Sequence, residues 1–147
     1  HNLADKTAEL LWRDAEGNVF IRSGDMGRID GDGFVHLMDR KKDMIISGGF
    51  NIYAADLEAV LGQHPDVTDT AVIAIPSEAW GETPLGFVVL RDGAGVTGED
   101  VLRFANARLG KTQRLSQIIV KDDLPRSEIG KILKRELREP YWEGSAA

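Results

Sequence analysis

The segment LPRSEIGKILKREL (Leu124–Leu137) carries the residues best suited to chemistry. Lys131 follows Gly130, and a glycine allows a ligand to approach the backbone closely. The last helix is predicted to begin at this lysine, where the positive end of the helix dipole disfavours a cation unless an anion lies nearby. Ser127, Gly130 and the first N–H groups of that helix are the donors that an anion site needs. The sequence therefore predicts a lysine that meets a phosphate.

The same segment has a second interpretation. Its cations at positions i, i+3, i+4 and i+7 would share one face of a helix, and they are Lys131, Lys134, Arg135 and Arg138. A run of charges is usually a solvated surface stripe. The spacing alone does not distinguish such a stripe from a binding face, and both interpretations stay open.

Other motifs for chemistry are incomplete. The phosphate-loop pattern fails because Pro125 stands where its first glycine should be, and Ile132 replaces its hydroxyl residue. DGDG at Asp30–Gly33 favours a tight turn over a calcium loop, because no glutamate closes it at the required spacing. The histidines are too scattered for a metal site, at His1, His36 and His64. We therefore expect no metal bound by these residues.

Composition narrows the possible partners. The chain of 147 residues has a formal net charge of −6 and no cysteine. The acidic balance argues against nucleic-acid binding, and the lack of thiols excludes disulfides and thiolate metal sites. No apolar run approaches the roughly 20 residues that span a bilayer. Because the chain begins HNLADK without a methionine, we expect a piece of a longer protein.

Two regions of different character must position these residues. Up to about Met38, the chain is predicted to form short strands broken by turns, with β-rich runs at Val19–Arg22 and Phe34–Met38. DGDG at Asp30–Gly33 predicts a hairpin turn. The next five residues, DRKKD (Asp39–Asp43), are too charged for a core or a strand and predict a linker or hinge.

The rest of the chain alternates strands with helices. The predicted strands cover residues 44–47, 70–75, 85–90 and 116–122. One helix is predicted over Ala54–Gln63. Thr97 and Asp100 form a capping-box pattern for a second helix that closes at Gly110, and a last helix ends before Pro140. These elements predict an α+β fold, with a small sheet covered by two or three helices and preceded by β-hairpins.

Four motifs give the chain a family resemblance. IRSGDMGRID, DRKKDMIISGGFNIYAADLEAVL, GETPLGFVVL and LPRSEIGKILKREL occur in this order between about Val19 and Arg138. Together they resemble the carboxyl-terminal part of an adenylate-forming ligase, a superfamily of acyl-CoA synthetases, peptide-synthetase adenylation domains and luciferases. The resemblance implies that residues 1–39 end a large amino-terminal domain as β-hairpins, residues 40–43 are a hinge, and residues 44–147 form a small lid domain.

The resemblance assigns nucleotide and hinge positions. Asp25 is similar to the aspartate that binds the ribose hydroxyls of ATP, and Arg40 to an arginine that contacts the nucleotide. Lys42 matches the hinge position, where the family carries aspartate or lysine.

The resemblance also assigns positions in the lid. Gly48 and Gly49 are similar to the glycine-rich strand that lines the pantetheine tunnel, where a bare backbone leaves room for coenzyme A. Lys131 matches the lysine that reaches the carboxylate oxygen and the α-phosphate during adenylation. The family often has Tyr-Lys-x-Pro where this chain has Thr112–Leu115, so the coenzyme A contacts of that segment stay open.

The activity implied is that of an ATP-dependent carboxylic acid–CoA ligase, an acid–thiol ligase. A carboxylate attacks Mg²⁺-bound ATP to give acyl-AMP, and the lid then turns so that coenzyme A can form the thioester. The segment DRKKDMIISGGFNIY is similar to the corresponding segment of fatty-acyl and aryl-acyl ligases. This similarity implies a cytoplasmic enzyme of fatty acid metabolism or a related pathway. The ATP-gripping loop, the acyl pocket and most Mg²⁺ contacts would lie in the missing amino-terminal domain, so we expect the chain alone to be inactive.

Two other functions stay open. The chain could belong to another adenylate-forming enzyme, or it could be a non-catalytic interaction module that binds an anionic partner through the Lys131 face. The module gives no role to Asp25, Lys42 or the glycine pair.

Overall fold

The computed structural model describes residues 3–142, and the chain divides into two compact units whose boundary in the sequence lies between Lys42 and Asp43. This boundary lies inside a single 3-10 turn, Lys41–Asp43. The first unit contains two separate two-stranded sheets, and the second contains one five-stranded sheet.

The amino-terminal unit consists of one short helix and two hairpins. Its elements are α1 (Ala4–Leu10), β1 (Leu11–Arg13), β2 (Val19–Ile21), β3 (Asp25–Ile29) and β4 (Val35–Arg40). Strand β1 pairs with β2 and β3 pairs with β4, both antiparallel. The predicted DGDG turn is confirmed, because Oδ1 of Asp30 accepts two backbone N–H groups of the turn and Gly33 has a φ of 86°. A side-chain hydrogen bond with His36 lowers the pKa of Asp30.

The carboxyl-terminal unit is built around its sheet. Its elements are β5 (Ile45–Ser47), β6 (Phe50–Ile52), α2 (Ala54–Leu61), β7 (Val67–Ser77), β8 (Gly81–Leu90), α3 (Gly98–Asn106), β9 (Gln117–Val120) and α4 (Lys134–Trp142). The strand order is β6-β5-β8-β7. All these pairs are antiparallel, whereas β9 runs parallel to β8 along Leu85–Val88.

Side chains of β7 alternate between two buried layers. Val72 and Ala74 belong to a cluster formed with α2 and α3, and Ala71 and Ile73 belong to a cluster formed with α4. Since successive side chains of a strand point to opposite faces, the sheet is covered by helices on both sides. The predicted α+β fold with up to three covering helices is confirmed.

The capping box that begins α3 is also as predicted. The Asp100 N–H donates to Oγ1 of Thr97 at 3.3 Å, and Oδ2 of Asp100 accepts the Thr97 N–H at 2.8 Å. Hydrogen bonds from the Thr97 side chain and backbone, with a further one from Arg103, lower the pKa of Asp100 to about 2. The helix ends at Asn106 and does not reach Gly110, because the Asn106 side chain turns to bond the backbone of Leu115.

The prediction that DRKKD forms no strand is wrong for its first two residues. Asp39 and Arg40 complete β4, where they pair with Met26 and Asp25. Charged side chains are tolerated there because a two-stranded ribbon exposes its edges to water. The 3-10 turn therefore contains only the last three residues of the run.

The prediction that the last helix ends before Pro140 is also wrong. Helix α4 includes Pro140 and continues to Trp142. Tertiary contacts hold this last turn: Nε1 of Trp142 donates to the Ala74 carbonyl at 3.0 Å, and the Tyr141 ring meets Phe87 at 6.5 Å between centroids. Such contacts outweigh the loss of one helical hydrogen bond at the proline.

Candidate functional site

The β3–β4 hairpin brings Asp25 and Arg40 together. They are direct partners in the antiparallel register, and Nε of Arg40 lies 2.9 Å from Oδ1 of Asp25. Gly24 enters the strand with a φ of 79°, and its carbonyl accepts the N–H of Lys41 at 2.8 Å. The pair is partly exposed, so the carboxylate retains lone pairs for a diol.

A groove of about 530 Å³ lies beside this pair. Ser23 and Gly24 form part of its wall, and its cations are Arg40, Lys41 and Lys42. Three cations around one concavity suit an anionic ligand. Lys42 is the last residue of the amino-terminal unit, and its assignment as the hinge stays a prediction.

Gly48 and Gly49 form the tight turn between β5 and β6, and both have positive φ, 55° and 83°. The Gly48 N–H donates to the Trp80 carbonyl at 2.8 Å. A Cβ atom built on Gly48 would lie 2.9 Å from Cε3 of the Trp80 ring, whereas one on Gly49 would meet nothing within 4 Å. The two glycines thus serve different purposes: the first admits an indole ring, and the second leaves open space.

A cavity of about 310 Å³ adjoins this turn. Gly48, Phe50 and Trp80 provide its flat surfaces, and Lys111 and Arg114 provide two positive charges. Aromatic faces with cations beside them suit a ligand that carries both a ring and phosphates. Sequence reasoning missed Trp80 and Lys111, although the tryptophan next to a glycine before β8 was a usable signal. It included Arg114 only as part of Thr112–Leu115, whose contacts it left open.

The segment Thr112–Leu115 contributes to this cavity only in part. Thr112 and Arg114 line it, and Leu115 is buried in the core beneath. The departure from the family pattern therefore still leaves a cation at the cavity wall.

Lys131 lies on a small hairpin and not on a helix. The Ser127 N–H donates to the Lys131 carbonyl at 2.8 Å, and the Gly130 N–H donates to the Ser127 carbonyl at 2.8 Å. Gly130 has a φ of 79°, and Ile129 at the tip is 89% exposed. Helix α4 begins three residues later, at Lys134.

The anion site predicted from Ser127, Gly130 and helical N–H groups is therefore wrong. The helix begins at Lys134 rather than at Lys131, and the hairpin itself uses the N–H of Gly130, which donates to the Ser127 carbonyl, and the N–H of Lys131, which donates to Oγ of Ser127 at 3.2 Å. Among the residues that the structure describes, the Lys131 side chain has no ion pair and is exposed. The ammonium group of the lysine, rather than a nest of backbone donors, is what this loop presents.

The predicted basic helical face is also wrong. Nζ of Lys134 lies 2.7 Å from Oε1 of Glu58 on α2, and Nη2 of Arg138 lies 2.9 Å from Oδ1 of Asp43. These side chains are largely buried, with 17% of Lys134 and 23% of Arg138 exposed. Two of the four cations are thus internal to the fold, and Lys131 precedes the helix that should have carried it.

The Lys131 hairpin and the glycine turn lie at opposite edges of the sheet. An ion pair from Arg126 joins the hairpin to Asp69 on β7, one outer strand, whereas the glycine turn connects β5 and β6 on the other side. They also lie near opposite ends of β8, because Asp69 pairs with Val89 and Ser47 pairs with Gly81. Eight residues at about 3.3 Å each separate these positions by roughly 25 Å. A single reacting centre a few ångströms wide therefore does not contact both features at once.

Two absences concern only residues 3–142. No group of three or more acidic, histidine or cysteine side chains lies together there in a way that could hold a metal ion. No helix in this part of the chain is long and apolar enough to cross a membrane. His1, one of the scattered histidines, lies outside the described residues.

Comparisons with known proteins agree on one family. The family described as AMP-binding enzyme C-terminal domain matches residues 56–131. Long-chain-fatty-acid–CoA ligase FadD13 of Mycobacterium tuberculosis is 42% identical over 129 residues, which are 88% of this chain and 25% of that protein.

Solved structures give the same result. ATP-bound MatB from Rhodopseudomonas palustris superposes with a TM-score of 0.83 at 34% identity, over 99% of this chain and 28% of that one. The o-succinylbenzoate CoA synthetase of Bacillus subtilis, in complex with its acyl-adenylate intermediate, superposes with a TM-score of 0.73 at 36% identity, over 80% of this chain and 24% of that one.

The chain therefore spans about a quarter of the length of these relatives. The family match extends through β7, β8, α3 and β9 and ends at Lys131, the residue that the sequence singled out first. This chain belongs to the AMP-binding enzyme C-terminal domain family.

Proposed function

We propose that this chain is the lid of an ATP-dependent carboxylic acid–CoA ligase, and that one small body serves two consecutive reactions at its two edges. The observation that carries the proposal is the separation of the Lys131 hairpin from the glycine turn, across the sheet and along β8. If one active site uses the Lys131 hairpin in the first reaction and the glycine turn in the second, the domain that carries both must rotate between the two reactions.

In the first reaction, a carboxylate oxygen of the acid attacks the α-phosphorus of ATP and the bond to pyrophosphate breaks. Lys131 would place its ammonium beside the carboxylate and α-phosphate oxygens, where negative charge builds up. Asp25 would accept hydrogen bonds from the ribose hydroxyls, and Arg40, 2.9 Å away, would orient that carboxylate and face the nucleotide. Mg²⁺ would arrive with ATP and be held by residues outside this chain.

In the second reaction, the thiol of coenzyme A attacks the acyl carbonyl and AMP leaves. The cavity beside Gly48 would hold coenzyme A, with Trp80 available for its ring and with Lys111 and Arg114 for its phosphates. The open space at Gly49 would let the thin pantetheine arm pass along the backbone. Lys42, at the boundary of the two units, is the proposed pivot.

The exposed apolar surface of the amino-terminal unit supports the domain organisation that we propose. The strands of the amino-terminal unit leave many large apolar side chains exposed, including Ile21 and Leu37 at 75% each. Such a surface is unusual for a complete domain and fits the end of a larger one. We assign residues 1–39 to that larger domain, 40–43 to the hinge and 44–147 to the lid.

The acid is proposed only as a class. FadD13 is named for long-chain fatty acids and the Bacillus enzyme for o-succinylbenzoate, so relatives of similar identity act on aliphatic and aromatic acids. A fatty-acyl or aryl-acyl substrate and a cytoplasmic location therefore stay predictions. The anion-binding interaction module is disfavoured, because Lys134 and Arg138 of its binding face are committed to internal ion pairs.

The test uses the full-length enzyme that contains this chain. We expect acid-dependent exchange of pyrophosphate into ATP without coenzyme A, and acyl-CoA formation from supplied acyl-AMP without ATP. Exchange without any thioester formation, over a panel of fatty and aromatic acids, would favour another adenylate-forming enzyme. The absence of both reactions would overturn the proposal.

A further inference from the structure

The guanidinium group of Arg126 joins the sheet to the backbone immediately before Lys131. Its Nη1 donates to the Gly130 carbonyl at 2.6 Å, and its Nη2 forms an ion pair with Asp69 on β7. Arg126 itself begins the hairpin, where it forms a β-bridge with Ile132. One rigid side chain therefore links a fixed strand to the peptide unit that precedes the lysine.

The other bonds of the hairpin do not provide this link. The Ser127–Lys131 and Pro125–Leu133 backbone pairs hold the two arms of the hairpin to each other. Leu124 is buried, and Ile132 packs against the α4 side of the core, so the base of the hairpin is anchored. Of the hydrogen bonds and ion pairs found in residues 3–142, those of Arg126 alone connect the tip to the sheet.

Geometry explains why an arginine suits this position. The N–H groups of a guanidinium lie in one plane at fixed angles, so two simultaneous bonds fix the direction of the group as well as its place. Because Asp69 holds one side of the guanidinium, the other side holds the Gly130 carbonyl at a fixed position relative to β7. The angle at which the hairpin leaves the sheet is thereby fixed.

We propose that Arg126 is a positioning residue for Lys131, which rests on the proposed role of Lys131 in adenylation. Arg126 acts through the Gly130 carbonyl and does not touch substrate. Asp69 contributes to the same positioning because it orients the guanidinium of Arg126. A partly exposed ion pair of this kind contributes little to stability, so its effect is expected in the reaction and not in folding.

The test compares half-reactions in the full-length enzyme. Arg126→Gln and Asp69→Asn should each lower the kcat of adenylation, on the order of 10-fold, because a misplaced catalytic group is costly even at small displacements. Conversion of supplied acyl-AMP to acyl-CoA should be unchanged. Arg126→Lys should fall between wild type and Arg126→Gln, since an ammonium can keep one bond but not the planar fork. The double variant should be no worse than Arg126→Gln alone.

Arg135→Gln is the matched control. It removes the same charge from a nearby exposed position for which the described residues show no ion pair or hydrogen bond, and it should leave both half-reactions unchanged. A general electrostatic effect of losing one cation would appear in this control and would overturn the proposal.

The decisive measurement is made in the Lys131→Ala background. If Arg126 acts through Lys131, Arg126→Gln should cause no further loss there. A further loss, an equal loss in both half-reactions, or normal adenylation in Arg126→Gln and Arg126→Lys would each overturn the role of Arg126. If Lys131→Ala itself adenylates normally, the proposed function of Lys131 fails, and this inference fails with it.

Discussion

Nζ of Lys134 lies 2.7 Å from Oε1 of Glu58, and this ion pair joins helices that cover opposite faces of the sheet. The same Glu58 oxygen accepts the N–H of Val72 at 2.7 Å, on the side of β7 that has no neighbouring strand. The ion pair therefore lies beside the outer edge of β7 and connects the helices on its two sides. A cation that looked like part of a binding face in the sequence is a structural tie between layers.

We expect Glu58→Gln to destabilise the carboxyl-terminal unit. The change leaves Lys134 without its counter-ion, and this is costly because both side chains are only 17–22% exposed. Losing one partner of such a pair should lower the free energy of unfolding by about 2 kcal/mol. Chemical denaturation of the purified chain measures this, with Arg135→Gln as a control that should stay within about 0.5 kcal/mol of the parent. Equal stability of the two variants would contradict the structural role of the pair.

Lys131→Ala should separate the two half-reactions of the full-length enzyme. Loss of a cation aimed at transition-state charge should raise the adenylation barrier by about 3–4 kcal/mol, a factor of about 10²–10³ in rate. Thioester formation from supplied acyl-AMP should survive. Acetylation of Lys131 removes the same charge and should reproduce the variant. Similar damage to both half-reactions would show that Lys131 is needed throughout.

The two glycines of the β5–β6 turn should respond differently to alanine. Both variants strain a positive φ, but only Gly48→Ala places a Cβ against the Trp80 ring, at 2.9 Å. We expect that variant to disturb the cavity wall and to lower kcat/KM for coenzyme A by at least about 10-fold. Gly49→Ala reports the cost of backbone strain alone, whereas Gly49→Leu should also obstruct the open space. Initial rates with varied coenzyme A measure all three, and equal effects of the two alanines would argue against a role for Trp80.

The hinge assignment predicts that Lys42→Pro blocks the turn between reactions. Proline fixes φ of residue 42 at about −65° and also restricts the backbone of Lys41. If those dihedrals suit the adenylating arrangement, acyl-AMP should form at nearly the normal rate while its conversion to acyl-CoA collapses. Single-turnover measurements of each step test this, with Lys42→Ala as a control that removes the side chain but leaves the backbone free. Normal thioester formation by a folded Lys42→Pro enzyme would mean that the pivot lies elsewhere.

The chain by itself should be inactive. It contains one edge of the proposed nucleotide site, Asp25 and Arg40, whereas the loop that grips the ATP phosphates and the acyl pocket are expected in another part of the full-length enzyme. We expect no acid-dependent exchange of pyrophosphate into ATP above background. Exchange by the isolated chain with any acid would contradict a site shared with the rest of a longer protein.

Local chemistry made much of this structure predictable. The DGDG turn and the Thr97–Asp100 capping box depend on residues within a few positions of each other, and both formed as expected. The short continuous apolar runs at residues 70–75 and 85–90 also predicted buried strands, and they lie in β7 and β8, whose central residues are buried on both faces of the sheet.

The errors have a different origin. The partners of Lys134 and Arg138 lie 76 and 95 residues earlier in the chain, at Glu58 and Asp43, and no local pattern reveals such pairs. Pro140 stays helical for the same reason, since Trp142 beyond it bonds to Ala74. In the candidate site, Lys131 and the glycine turn were recognisable from motifs, whereas the cavity cations Lys111 and Arg114 depend on tertiary folding.

Trp142 and Glu58 also protect the outer strand of a domain that we propose to move. Strand β7 is the last of the sheet, and an uncovered outer strand can pair with a strand of another molecule and start aggregation. Glu58 occupies the outward N–H of Val72, and Trp142 occupies the outward carbonyl of Ala74. A lid that swings through solvent between reactions would therefore carry its own protection against intermolecular strand pairing.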